Sequence, residues 1–159
     1  MDYELMMNGN VKIGERAPAF DGIEKYKGKW LVIFSYKGAF DMLSTKEIIE
    51  FSRAYKYFQK INVELIGISI DSNDSNIAWL NDIYYRIGIK VQFPLISDRS
   101  GVIARQYGMI SPEISKIETT RNVYIIDDKG IVKCILSYPL EVERSIPEIL
   151  RVIKVLKNS

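Results

Sequence analysis

"WLVIFSYKGAFDMLSTKEIIEFSRAYKYFQKINVELIGISI", residues 30–70, holds two short apolar runs on either side of an amphipathic segment. The runs at 30–36 and 63–70 are rich in β-branched and aromatic residues and are too short for buried helices. They predict central strands covered on both faces. Segment 45–60 has apolar residues at helical spacing, which predicts a helix with one buried face. These residues are Ile48, Phe51, Tyr55 and Phe58.

The alternation of strands and helices continues beyond residue 70. Segment 74–87 predicts a second helix that buries a stripe of Ile77, Leu80, Tyr84 and Ile87, with Gly88 as its C-cap. We expect Trp79 on this helix to pack in the core or in an interface. A short strand is predicted at 93–96 and a short helix at about 100–107.

The last third of the chain predicts a hairpin followed by a helix. Strands are expected at 122–127 and 131–138, flanking Asp128, Lys129 and Gly130 as the turn. The final helix begins at Ser145, with a proline in its first turn and Glu148 three residues after the cap, the pattern of a capping box.

This order of elements predicts the fold class and the domain organisation. Strand–helix alternation implies parallel crossovers, and the hairpin adds antiparallel strands. We therefore expect an α/β protein with a mixed β-sheet and helices on both faces. Residues 1–10 are interpreted as an arm and 11–159 as one domain, with a polar loop at 111–120.

Composition excludes several classes of function. Of the 159 residues, 47% are apolar and 26% are charged, and the net charge is +2. This charge is too small to indicate binding to nucleic acid or to an anionic membrane. Apolar runs are all shorter than a spanning helix requires, and the first residues do not have the pattern of a secretory signal.

The chain has no histidine and a single cysteine, Cys134. It therefore lacks the commonest general base, cannot form an intrachain disulfide and cannot build a multi-cysteine metal cluster. We expect neither a metal nor a cofactor. One cysteine is compatible with a reducing, cytoplasmic compartment.

The start of the first helix combines two candidate capping residues. Asp41 could cap the helix, its charge favoured by the helix dipole, or Ser44 could cap it with Glu47 closing a capping box. Either arrangement would make this part of the chain an ordinary helix start.

Six segments together resemble a peroxiredoxin of the one-cysteine type, over about residues 11–157. They are "IGERAPAF" (13–20), "GKWLVIFSYKGAF" (28–40), "STKEIIEFSRAYKYFQKINVELIGISIDS" (44–72), "AWLNDI" (78–83), "FPLISD" (93–98) and "TTRNVYIIDDKGIVKCILSYPLEVERSIPEILRVIKVL" (119–156). The resemblance implies a thioredoxin-like fold, which agrees with the mixed sheet, and thiol-dependent reduction of peroxides.

The same resemblance implies an active site that this chain alters. The family places a proline, a threonine and the peroxidatic cysteine where this sequence has Lys37, Asp41 and Ser44, and only the family's arginine is kept, as Arg121. A hydroxyl is a weak nucleophile without an adjacent base, and it cannot be oxidised and reduced as a thiol can. We therefore expect no thiol-peroxidase cycle at Ser44.

Three hypotheses for function remain open. The chain could be a non-catalytic binding or oligomeric homologue, either as the partner of a cysteine-containing paralogue or as a holdase-like oligomer. It could be an enzyme that uses the altered Asp41/Ser44 pocket, or a peroxidase that works through Cys134. For the pocket itself, we favour an ion pair or triad of Lys37, Asp41 and Arg121 over a site for a small anion.

Two further expectations concern the hairpin's second strand, 131–138. Its alternate residues Val132, Cys134, Leu136 and Tyr138 should share one apolar face, which predicts a buried, inert Cys134. The resemblance implies that this edge strand pairs with its twin in a homodimer. We expect this chain to lack, after Ser159, the C-terminal arm of such relatives, which argues against higher rings.

Overall fold

The computed structural model describes residues 10–110 and 121–159, so residues 1–9 and the expected loop at 111–120 lie outside the described residues. Within these described residues, five strands and four helices follow a 3₁₀ turn at Ile23–Tyr26. The strands are β1 (Trp30–Ser35), β2 (Val63–Ser69), β3 (Leu95–Ser97), β4 (Arg121–Ile126) and β5 (Val132–Tyr138). The helices are α1 (Met42–Lys60), α2 (Asn73–Ile87), α3 (Val102–Tyr107) and α4 (Ile146–Lys157).

The five strands form one mixed sheet in the order β3-β2-β1-β4-β5. β1 pairs in parallel with β2, β2 pairs in parallel with β3, and the β4–β5 hairpin joins antiparallel to β1. The predicted mixed α/β architecture is therefore confirmed. The hairpin turn is also confirmed, with Gly130 at a φ of 82°.

The sheet separates two apolar cores. Alternate residues of β1 point to opposite faces, so Val32 and Phe34 meet α1, α2 and α4, whereas Leu31 and Ile33 meet α3 and the segment before β1. Because each strand of the centre is buried on both faces, near-continuous apolar runs are the pattern to expect there. Among the described residues, no helix is long and apolar enough to cross a membrane.

The predicted apolar stripe of α2 is wrong, because a different face of the helix is buried. Ile77 and Tyr84 are each 57% exposed and Ile87 is also exposed. The buried residues are Asn76, Trp79 and Ile83. Two polar contacts fix this face: the Trp79 indole donates to Thr45 Oγ1 (2.9 Å), and Asn76 Oδ1 accepts from the Tyr36 hydroxyl (2.8 Å).

A β-bulge changes the expected side-chain pattern of β5. The register with β4 shifts between Ile125 and Ile126, so Ile125 pairs with Cys134 and Ile126 pairs with Val132. Val132 therefore belongs to the core on the α3 side, whereas Cys134 packs against the core beneath α1 and α4. Cys134, Leu136 and Tyr138 share one face as expected. Val132 alone departs from the expectation, since a bulge adds an unpaired residue and reverses the alternation.

Helix ends agree with the sequence in two cases. Gly88 ends α2 in the left-handed conformation at a φ of 77°, and the Ser145 side chain caps α4 by accepting from the Glu148 backbone N–H. The Glu148 carboxylate does not complete a capping box, because it accepts two hydrogen bonds from Arg151 (2.8 and 2.6 Å).

Replacing Gly67 with alanine should destabilise the fold, because β2 has no room there. A Cβ atom would lie 2.6 Å from Leu95 Cδ2 and 3.0 Å from Phe34 Cζ. The Leu95 end can shift, but Phe34 is stacked on Phe51 with ring centroids 4.3 Å apart. We expect Gly67→Ala to lower the free energy of unfolding by about 1–3 kcal/mol in chemical denaturation.

A double-mutant cycle with Leu95→Ala is the control for this prediction. Leu95→Ala should partly relieve the clash in the double variant. The loss in free energy of unfolding for the double variant should therefore be smaller than the sum of the losses for the two single variants. Strict additivity, or a Gly67→Ala cost below about 0.5 kcal/mol, would contradict the steric account.

Candidate functional site

The candidate site lies where the chain leaves β1 and enters α1. Asp41 is the N-cap of α1, and its Oδ2 accepts from the Ser44 backbone N–H (2.9 Å) and from the Ser44 hydroxyl (2.8 Å). Of the two capping arrangements left open by the sequence, the structure has the one with Asp41. Ser44 belongs to the first turn of the helix, and its hydroxyl proton is directed at the Asp41 carboxylate.

Ser44 is almost inaccessible to solvent, with 3% of its surface exposed. Its hydroxyl has a hydrogen-bond partner, so it satisfies the rule for buried polar groups without any ligand. A carboxylate that accepts two hydrogen bonds at a helix N-terminus completes the cap there, where the helix dipole favours a negative group. The arrangement is that of a structural cap.

The loop before Asp41 is held by a residue that the sequence analysis did not single out. Asp71, which follows β2, accepts from the Ala39 backbone N–H (2.5 Å) and from the Ser69 hydroxyl (3.3 Å). Its own carbonyl accepts from Ser97 on β3 (2.5 Å). A Cβ atom at Gly38 would lie 3.2 Å from Asp71 Oδ2, so glycine gives the loop this close approach. Asp71 thus fixes the loop across the carboxyl ends of three strands.

The expected ion pair or triad of Lys37, Asp41 and Arg121 is wrong. Among the described residues, Lys37 and Asp41 form no salt bridge, and Arg121 is paired with Glu47 instead. Arg121 also donates from Nη1 to the Leu140 carbonyl (3.0 Å). Arg121 does approach the start of α1, but its carboxylate partner is Glu47 rather than Asp41.

Glu47 lies between two arginines, Arg121 and Arg144, and all three side chains are at most 3% exposed. Arg144 donates to Glu47 Oε2 from Nε (2.9 Å) and from its backbone N–H (3.0 Å), and to Oε1 from Nη2 (3.2 Å). Its Nη1 reaches the carbonyls of Ser35 (2.5 Å) and Asn122 (3.1 Å). We call Glu47, Arg121 and Arg144 the ion cluster.

The electrostatics of the ion cluster keep Glu47 charged. Burial alone would raise the pKa of Glu47, but the positive charge of Arg144 and hydrogen bonds from Arg144 and Arg121 outweigh it and hold the pKa below its ordinary value. Glu47 is one helical turn from Ser44, so the cluster lies directly behind the helix start. In the sequence, the feature that could have indicated a buried Glu47 is its spacing of three residues from Ser44, which places both side chains on the same face of α1.

Cys134 lies on the edge strand β5 and is half-buried rather than fully buried. Burial raises the pKa of its thiol, and the Glu148 carboxylate adds to this effect. A thiol in these surroundings is a poor nucleophile, because the thiolate is the reactive form. No group of acidic or cysteine side chains suited to hold a metal ion occurs among the described residues.

The comparisons with known proteins identify the family. The model of the AhpC/TSA family matches residues 13–135, and the chain belongs to this family. It is 44% identical over 155 residues to peroxiredoxin 2 of Caldanaerobacter subterraneus subsp. tengcongensis, covering 92% of this chain and 70% of that protein. It is 40% identical over 157 residues to a peroxiredoxin of Aquifex aeolicus, covering 93% and 71%.

Solved structures of peroxiredoxins share the fold. A yeast mitochondrial 1-Cys peroxiredoxin has a TM-score of 0.84 at 31% identity, covering 92% of this chain and 76% of that one. A cysteine-to-serine mutant of the peroxiredoxin 6 of Arenicola marina has a TM-score of 0.85 at 28% identity, covering 93% and 74%. The thioredoxin-like fold of the peroxiredoxins is therefore the fold of this chain.

Replacing Glu47 with glutamine should destabilise the protein strongly. The two guanidinium groups would then be buried without a counter-charge, which typically costs about 3–5 kcal/mol. The matched control is Glu143→Gln, which removes an exposed pair with Lys46 and should cost at most about 0.5 kcal/mol. Chemical denaturation of both variants measures the difference, and similar costs would show that the ion cluster is unimportant for stability.

The difference between the native chain and Glu47→Gln should also depend on pH. Because the pKa of Glu47 is lowered by folding, its charge stabilises the fold above the ordinary glutamate value of about 4.3. This contribution is lost as the pH falls through the lower folded-state pKa. The stability gap between the two proteins should therefore narrow on acidification, and a gap that stays constant would argue against Glu47 as the group concerned.

Proposed function

We propose that this chain is a peroxiredoxin homologue without thiol-peroxidase activity, which acts as a non-catalytic binding and oligomeric protein. The observation that carries the proposal is the buried hydroxyl of Ser44, engaged by Asp41 at the position where the resemblance places the peroxidatic cysteine. Peroxide reduction requires a sulfur that accepts oxygen and is later reduced. An alcohol cannot take that role.

The electrostatics of the helix start also support the proposal. Peroxidatic chemistry needs a stabilised thiolate, and a negative carboxylate disfavours a second negative charge beside it. Asp41 lies 2.8 Å from the atom that would carry that charge. Arg121, which the resemblance identifies with the family's active-site arginine, is paired with Glu47 and donates to the Leu140 carbonyl.

A peroxidase that works through Cys134 is the second candidate, and the names of the relatives favour it. Relatives at 40–44% identity are called peroxiredoxins, and Cys134 is the only cysteine in the sequence. The raised pKa of the half-buried thiol argues against this candidate. An enzyme built on Asp41 and Ser44 has weaker support, because Ser44 is inaccessible.

The native chain should consume no hydrogen peroxide above the buffer rate when dithiothreitol is the reductant, since no reactive thiolate is present at the helix start. The Cys134→Ser variant is the control and should behave identically. Turnover by the native chain that disappears in Cys134→Ser would establish the second candidate and reject the first.

The substitution Ser44→Cys separates the missing sulfur from the altered loop. Alone it should give little peroxidase activity, because Asp41 opposes the thiolate and Lys37 replaces the shielding proline. The combination Lys37→Pro, Asp41→Thr and Ser44→Cys should be clearly more active in the same assay. Full activity of the single variant would show that Lys37 and Asp41 matter little.

The proposed oligomer is a homodimer in which β5 pairs with its twin. The supporting observation is that β5 is an edge of the five-stranded sheet, hydrogen-bonded to β4 on one side. At Val132 this edge is already covered, because its N–H donates to the Glu15 carbonyl and its carbonyl accepts from the Gly14 N–H. The later part of the strand, residues 133–138, is the proposed template for another strand. A cysteine-containing paralogue would fit the same edge and is the alternative partner. We also propose a reducing, cytoplasmic compartment, which suits a chain with one cysteine.

Analytical ultracentrifugation should give about twice the chain mass of 18.3 kDa for the native protein. Single proline substitutions at Cys134, Ile135 and Leu136 each remove one backbone N–H group of β5. Where that group faces away from β4, the substitution should weaken the dimer and leave the pairing of β5 with β4 intact. A monomer at micromolar concentration would reject the homodimer.

A further inference from the structure

Two depressions follow one another along the surface seam between α1 and α4. The first is lined by Glu50, Arg53, Ala54, Tyr57, Ile146, Pro147 and Leu150, and the second by Lys60, Ile61, Asn62, Lys154, Lys157 and Asn158. Early residues of α1 face early residues of α4 and late residues face late ones, so the helices run in the same direction. We call the two depressions together the seam groove.

The first half of the seam groove is mainly apolar, with Glu50 and Arg53 as its charged lining residues. Its floor is formed by Ala54 and Leu150, which are half-buried against the core, and its wall by Tyr57, which is 49% exposed. The depression has a volume of about 520 Å³. Exposed aromatic and aliphatic surface of this kind between two helices is the usual receptor for the apolar face of a third helix.

The second half, of about 410 Å³, is strongly positive. Three of its six lining residues are lysines, Lys60, Lys154 and Lys157, and none is acidic. Lys157 donates to the Ile61 carbonyl and lies 6.0 Å from the centroid of the Trp30 ring. Lys60 and Lys154 form no salt bridge with any described residue.

The ends of the two helices explain only part of this charge. Cations near a helix C-terminus interact favourably with its dipole, and Lys157 has that role for α1 through its bond to Ile61. Lys60 and Lys154 add two further charges to the same depression, in a chain whose net charge is only +2. The lysines therefore form a local concentration of positive charge that a negative group would complement.

We propose that the seam groove binds an amphipathic helix of a partner protein, with apolar residues on Ala54, Tyr57 and Leu150 and carboxylates on Lys60 and Lys154. The partner's acidic residues belong in its N-terminal turn, because carboxylates are favoured there by the helix dipole. The bound helix then runs antiparallel to α1 and α4. The groove extends along α4 from Ile146 to Lys157, about three turns or roughly 16 Å.

This inference rests on the proposed binding function and gives it a partner class, yet the two fail independently. The peroxide assay reports on the start of α1, whereas the seam groove is formed by later turns of that helix. Peroxidase activity together with peptide binding would reject the proposed function and keep this inference. Absence of both activity and binding would do the reverse.

The test uses two fluorescein-labelled peptides of about 14 residues that differ in one turn. Both carry leucines at helical spacing, and one has two glutamates in its first turn where the other has two lysines. Fluorescence anisotropy measures their binding to the native chain, to Lys60→Glu/Lys154→Glu and to the control Lys12→Glu/Lys90→Glu, whose lysines are exposed outside the groove.

The acidic peptide should bind the native chain and the control at least about tenfold more tightly than the basic peptide. In Lys60→Glu/Lys154→Glu this preference should reverse, and Tyr57→Ala should weaken both peptides. Equal binding of the two peptides, or a preference that survives the charge reversal, would overturn the proposal. Self-association that is abolished by Lys60→Glu/Lys154→Glu would assign the groove to a second copy and overturn the partner assignment.

Discussion

The buried ion cluster of Glu47, Arg121 and Arg144 is the interaction on which the rest of the site depends. One carboxylate on α1 receives a guanidinium from β4 and another from the segment before α4, and Arg144 also reaches the carbonyls of Ser35 and Asn122. The cluster therefore fixes the helix start relative to the ends of β1 and β4. Charges that are removed from water are tolerated only when they are paired with opposite charges.

The architecture of this chain is that of its family, and the departure of its chemistry from the family is what we propose. The thioredoxin-like sheet and the helix start behind β1 are present, and the solved relatives superpose over more than nine-tenths of the chain. The atom at the helix start is an oxygen whose proton is held by Asp41. Function depends on such site atoms more than on fold, which is why the family name alone does not define the activity.

The sequence predicted the order of elements, the mixed sheet, the caps at Gly88 and Ser145, and the approach of Arg121 to α1. It missed what depends on three-dimensional packing. The helical period of α2 fits the stripe of Ile77 and Tyr84 as well as the face of Trp79, and only the contact with Thr45 decides between them. The side of Val132 depends on a bulge, and the burial of Glu47 depends on Arg144, 97 positions later in the chain.

The position of β1 in the centre of the sheet has a consequence for how the chain folds. Its parallel partner β2 follows within one helix, but its other neighbour pairs Leu31 with Ile126, so the middle of the sheet closes only when the last third of the chain is available. Contacts this distant in sequence slow folding. During synthesis, the apolar edge of β1 stays unpaired until the β4–β5 hairpin has left the ribosome. In that interval the nascent chain avoids aggregation through chaperones or through rapid synthesis of the remaining residues.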